Sequence, residues 1–115
     1  MTVRRALAIA AAIGAAAILA LSPLAAGRAT KTVQVADDFF DPRRVKIKKR
    51  DKIAFEWVGT NEHDIVKVKG PGPFFQSGTK QGTGVLYTRR FKKAGNYKLI
   101  CQLHEDMTMK VEVKG

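Results

Sequence analysis

The chain has 115 residues, 45% of them hydrophobic, with 21 Lys and Arg against 10 Asp and Glu, a formal charge of +11. That length gives one domain and leaves no room for a multidomain enzyme. A single cysteine excludes an internal disulfide framework and a zinc site built on cysteine pairs. Neither G-x-G-x-x-G nor G-x-x-x-x-G-K-[ST] occurs, so nothing supports a dinucleotide or nucleotide site.

The chain opens with Arg4 and Arg5, then an apolar run in which 18 of the 21 residues from Ala6 to Ala26 are apolar or alanine. Ser22-Pro23 and the small residues Ala25-Ala26-Gly27 end it. A basic start, an apolar centre and a small-residue exit are the anatomy of an export signal. Residues 1–29 are therefore expected to be a signal peptide, or an N-terminal membrane anchor if left uncleaved. The apolar centre, Ala6 to Leu21, is shorter than the ~20 residues that span a bilayer. Export places the remainder in the periplasm, the cell envelope or outside the cell, with membrane contact only through an uncleaved leader.

Residues 30–115 form the expected domain and keep a net charge of +8. Val33 and Val35 alternate with polar neighbours, as do Val45 and Ile47, then Ile53, Phe55 and Trp57, then Val66 and Val68, and finally Val111 and Val113. Period-2 alternation marks strands with one buried face. Asp41-Pro42, Gly59-Thr60-Asn61, Gly70-Pro71-Gly72-Pro73, Gly82-Thr83-Gly84 and Gly95-Asn96 punctuate them as turns. The expectation is an all-β sandwich or barrel. Lys46, Lys48, Lys67, Lys69, Lys98 and Lys110 fall opposite the apolar set and read as a solvated face. No stacking aromatics interleave with these charges, so nucleic acid is not an expected partner.

The chemistry is concentrated in Tyr97-Lys98-Leu99-Ile100-Cys101-Gln102-Leu103-His104-Glu105-Asp106-Met107. A strand ends in the only Cys, with His three positions on and Met three beyond it. The other histidine, His63, follows the strand that ends at Trp57. One thiolate, two imidazoles and a thioether are the donor set of a mononuclear blue-copper site, a trigonal His₂Cys plane with a weak axial Met. Alone, each residue has a commonplace reading as core or surface. The coincidence points to metal, since an unpaired thiol in an exported protein is otherwise open to oxidation.

Beyond the donors, Val33-x-Val35 with Phe40-Asp41-Pro42, the stretch Val45 to Ile53, and Trp57 with Asn61-Glu62-His63-Asp64 resemble the plastocyanin-like cupredoxins. Phe91-x-x-x-Gly95-x-Tyr97-x-x-x-Cys101-x-x-His104 is similar to that family's ligand signature. The resemblance covers nearly all of residues 30–115. It implies a Greek-key β-sandwich of about seven or eight strands and one type 1 copper held by His63, Cys101 and His104. It further implies single-electron transfer between redox protein partners rather than enzyme catalysis, in a monomer. Met107 fits a short, amicyanin-like ligand loop and Met109 a longer one. Met109 shares the inward parity of Val111 and Val113, so Met107 is the expected axial ligand.

The family's electron port is its second histidine, here His104, with Pro71, Pro73 and Phe74 as candidates for an apolar rim. The net charge of +8 suggests partners with anionic docking surfaces. A copper carrier or buffer without an electron-transfer role is the alternative function. Arg50 stands where the family has Gly, so its turn must avoid positive φ or accept strain. Asp64 follows His63 where plastocyanin has Asn, leaving only a backbone N–H to reach the thiolate. Glu105 replaces a common Pro in the ligand loop.

Overall fold

The computed structural model describes residues 28–115, so the expected leader lies outside it up to Gly27. Eight strands follow in order: β1 (Thr30–Ala36), β2 (Phe39–Asp41), β3 (Arg44–Lys48), β4 (Lys52–Trp57), β5 (Val66–Lys69), β6 (Gly84–Arg90), β7 (Gly95–Ile100) and β8 (Thr108–Lys114). The alternating residues of the sequence make the inner faces. Val33 and Val35 of β1, Val45 and Ile47 of β3, and Met109, Val111 and Val113 of β8 are all buried.

One sheet has the order β2-β1-β4-β6 and the other β3-β8-β7-β5. β1 pairs with β4 and β3 with β8 in parallel, and the other pairs are antiparallel. Neighbours so distant in sequence require the chain to cross repeatedly between sheets. The result is the expected Greek-key sandwich, with eight strands. Its core holds Phe40, Ile53, Phe55, Trp57, Phe91 and Leu99, each at most 2% exposed.

The spaced aromatics of the ligand signature prove to be a packing device. Phe91 meets Tyr97 edge-on, with ring centroids 5.0 Å apart, and Phe75 meets Phe91 at 5.8 Å. The Tyr97 hydroxyl donates to the Lys93 carbonyl at 2.7 Å, closing the turn before β7. That turn sets the register of β7, which runs from Gly95 to the residue before Cys101.

Two expectations about strand faces are corrected. Lys67 is buried and Val68 is 45% exposed, the reverse of the simple alternation. An irregularity in the β5–β7 pairing between Lys67 and Lys69 shifts the register and breaks the period. The Lys67 ammonium donates to the carbonyls of Pro71, Gly72 and Pro73 at 2.6, 2.8 and 3.1 Å, so it tethers that loop. Burial pushes its pKa down, with the nearby Arg89 charge adding to the effect.

Pro71 packs against Gly95, at the start of β7, whereas Cys101 follows the end of β7. Phe74 flanks the stretch that pairs back along Lys67. Pro71 therefore sits at the far end of β7 from His104, and Pro73 is held at the Lys67 ammonium, so the two prolines do not rim His104.

Arg50 has φ 78°, the left-handed conformation that a side chain disfavours. Its turn accepts the strain because Arg50 N–H donates to Phe91 C=O at 2.7 Å and Asp51 N–H to Lys48 C=O at 3.0 Å. Arg50→Gly should raise stability by roughly 0.5–1 kcal/mol, the relief of the Cβ clash less the entropy of glycine. Urea denaturation checks this. Lys67→Met should lower stability by roughly 1–2 kcal/mol in the same assay, since the freed carbonyls can reach water.

Candidate metal centre

Three loops meet at one end of the sandwich: residues 37–38 between β1 and β2, 58–65 between β4 and β5, and 101–107 between β7 and β8. β7 lies between β8 and β5, so Cys101 is delivered by an interior strand. Cys101 N–H donates to Met107 C=O at 2.9 Å and closes the last loop. His63 is pinned through its backbone, exchanging two hydrogen bonds with Lys80 at 3.0 and 2.9 Å.

The side chains converge. His63 Nδ1 lies 3.9 Å from Cys101 Sγ, and the two imidazole centroids are 4.8 Å apart. One donor atom from each of His63, Cys101 and His104 falls within 4.8 Å of the others. An ion with bonds of about 2.0–2.3 Å brings its ligands to within about 4 Å of one another, so the group fits a shared metal. His63 and Cys101 are buried, and the His104 side chain keeps 24% exposure. Met107 and Met109 are each 1% exposed. Met109 pairs across from Leu99 within the β7–β8 ladder, as its parity required. Met107 sits where the loop closes on Cys101.

Asp64 works as the sequence indicated and adds a second bond. Its N–H points at Cys101 Sγ at 3.5 Å, and its Oδ1 accepts from Gln102 N–H at 2.8 Å. A carboxylate here thus locks the ligand loop by accepting. Burial pushes the Cys101 thiol up, opposed in part by the Asp64 N–H. The thiol is therefore protonated at neutral pH without metal and must lose that proton to become a ligand.

Asp37 and Asp38 were not anticipated. His63 Nε2–H donates to Asp37 Oδ1 at 2.8 Å, and His104 Nε2 lies 3.1 Å from Glu62 C=O and 3.4 Å from Asp38 Oδ1. Both outer nitrogens thereby have acceptors beside them, and the His63 Nδ1 is left facing the Cys101 sulfur. The Asp37 carboxylate is itself seated. It accepts from Thr60 N–H at 2.8 Å, Asn61 N–H at 3.1 Å and Thr60 Oγ1 at 3.3 Å. Those bonds, the Thr60 amide foremost and the His63 ring next, hold its pKa well below the usual carboxylate range. A Cβ on Gly59 would collide with the Asp37 carboxylate, so only glycine leaves room for this seat.

A family model for copper-binding proteins of the plastocyanin/azurin type matches residues 28–114. The chain belongs to the plastocyanin/azurin family. Its cofactor is copper, and this cupredoxin carries the donors for a single type 1 site.

Among solved structures, a Cu(I) form of an amicyanin carrying a methionine-to-alanine substitution is 20% identical, with a TM-score of 0.66, over 74% of this chain and 82% of that one. A purple cupredoxin from Nitrosopumilus maritimus is 20% identical, with a TM-score of 0.60, over 73% and 99%. A copper-containing nitrite reductase from Thermus scotoductus SA-01 is 26% identical, with a TM-score of 0.62. The match covers 75% of this cupredoxin but only 22% of that enzyme chain. No curated protein is similar at the level of sequence.

Removing the seated carboxylate should weaken metal affinity about 10–100-fold. Competition titration of Asp37→Ala and of Gly59→Ala against a chelator checks it, with both variants expected to shift alike. Metal uptake at neutral pH should release one thiol proton, so affinity falls about tenfold for each pH unit of acidification. Calorimetry in buffers of different ionisation enthalpy reads that proton directly.

Proposed function

We propose that the protein is an exported single-electron carrier whose copper would be held by His63, Cys101 and His104, with Met107 as the weak fourth donor. The observation that carries this reading is the convergence of two imidazoles and the only thiol, with two of the three donors closed to water. Bound copper supplies the Cu(II)/Cu(I) couple. The chain's part is to fix the donors before the ion arrives, exclude water from His63 and Cys101, and leave one edge of His104 open. A binding pocket for an organic substrate is not needed for this role.

His104 is the natural port, because it alone of the three grouped donors reaches the surface. Exposed apolar side chains border the same end: Leu103 in the ligand loop at 45%, Phe39 beside Asp38 at 41%, and Val58 at 42%. Charge here is not that of the whole molecule. Asp37, Asp38, Glu62, Asp64, Glu105 and Asp106, six of the ten acidic residues, belong to the three metal-bearing loops. The net charge suggested an anionic partner. The local charge favours a cationic docking face at His104, because encounter is steered by the field near the port.

Adding Cu(II) to the folded domain should produce an intense visible thiolate-to-copper band that Cys101→Ser abolishes. A colourless protein, or one coloured without Cys101, would overturn the assignment. Met107→Leu should shift the reduction potential strongly and Met109→Leu should not. The reverse would move the axial role to Met109. Electron exchange with a cationic small-molecule reagent should slow as salt is added, despite the positive net charge. A rate that rises with salt would place the port elsewhere.

A further inference from the structure

The end of the sandwich away from the metal loops carries the opposite charge. The Lys49–Asp51 turn between β3 and β4 meets the end of β6 there. Arg50 N–H donates to Phe91 C=O, Phe91 N–H donates to Asp51 C=O at 3.0 Å, and Arg90 donates through its guanidinium to Arg50 C=O. Around this fixed turn, Arg28, Arg50, Arg90 and Lys92 line one shallow hollow. Among the described residues, none of the four has a carboxylate within ion-pairing distance. Asp51 is the acid in the turn, and it is buried. Its oxygens face inward, accepting from Ala29 N–H at 2.8 Å and Lys48 N–H at 2.9 Å.

The same end is where the chain enters the domain. Ala29 is bonded to Asp51 through its N–H and to Lys52 through its carbonyl. Arg28 already lines the hollow, so the apolar run from Ala6 to Leu21 joins the domain at its basic end. β4 and β7, six residues each, separate this end from the copper loops by about 20 Å.

We propose that this basic pole rests on an anionic phospholipid surface, its guanidinium and ammonium groups taking lipid phosphates while His104 faces away. Basic residues at the point where a chain leaves an apolar leader are placed to add electrostatic attraction to a membrane. The orientation leaves the copper port free for a partner. The rival basic surface is the outer face of the second sheet, where Arg44, Lys46, Lys69, Lys98 and Lys110 lie together. Glu112 sits among them, and the leader does not emerge there.

Residues 28–115 close their own core and span the family match, so this stretch, which keeps the last two residues of the expected leader, tests the surface without the apolar run. It should co-sediment with phosphatidylcholine vesicles containing phosphatidylglycerol, not with phosphatidylcholine alone, and salt should release it. The combined change Arg28→Glu, Arg50→Glu and Lys92→Glu should lower partitioning roughly a hundredfold. Lys46→Glu, Lys69→Glu and Lys110→Glu, matched in charge but on the sheet face, should largely retain it. The copper band and circular dichroism report whether each variant folds. The milder pair Arg28→Gln and Lys92→Gln replaces the first set if it does not, with a smaller loss in the same direction. Equal losses in the two sets, or no vesicle binding at low salt, overturn the proposal. Calorimetric binding of inorganic phosphate without vesicle binding also overturns it, because the hollow would then serve a free anion.

Discussion

The candidate copper end depends on keeping His63 and Cys101, two of the proposed donors, out of water while pairing the polar groups that go in with them. An unmatched buried donor or acceptor costs about 1–3 kcal/mol, so each neighbouring loop is held to a position where it can pair. The Lys80 backbone takes both backbone groups of His63, Asp37 takes its ring, Met107 takes the Cys101 amide, and Asp64 faces the sulfur. These bonds order the loops and aim the ligands at the same time. A metal held there would meet donors already in place, an arrangement suited to a redox couple that changes its ligand geometry little.

Much of this was legible in the amino-acid sequence because the informative residues are rare. One cysteine, two histidines and a strand-loop-strand pattern leave few ways to assemble a site, and the inner faces of β1, β3 and β8 follow directly from period-2 alternation. What stayed hidden has physical reasons. Asp37 lies 26 residues from His63, and an acid in a polar turn looks the same whether it is solvated or bound to a ligand. β2 is three residues long and β6 is a half-exposed edge strand, so neither carries a strong periodic signal. Lys67 broke its pattern because the pairing of β5 with β7 shifts register, which no local period can announce. Gly59 offered no cue either: in the sequence it reads as an ordinary turn glycine, and only the structure shows that it has no positive φ and lies under the Asp37 carboxylate.

Net charge was the least faithful of the global quantities. A total of +9 over residues 28–115 conceals a molecule with acids grouped at the candidate metal loops and, among the described residues, bases without ion pairs grouped at the other pole. Lysines on the outer face of the second sheet supply much of the sum without defining either end. Such a separation gives the domain a dipole along its strands, and a dipole orients a molecule before contact in a way that a monopole does not.

The close approach of Gly59 to the Asp37 carboxylate also has an evolutionary reading. The atoms that a Cβ at residue 59 would meet first are those of the Asp37 carboxylate, and that carboxylate keeps its seat only while residue 59 stays bare. The two positions are sterically coupled, so a change at one bears on the other. Homologues aligned to this chain should therefore divide into those with Gly and Asp at the pair and those with neither. The first group would share a carboxylate behind the first histidine, and the second would have to anchor that imidazole by other means.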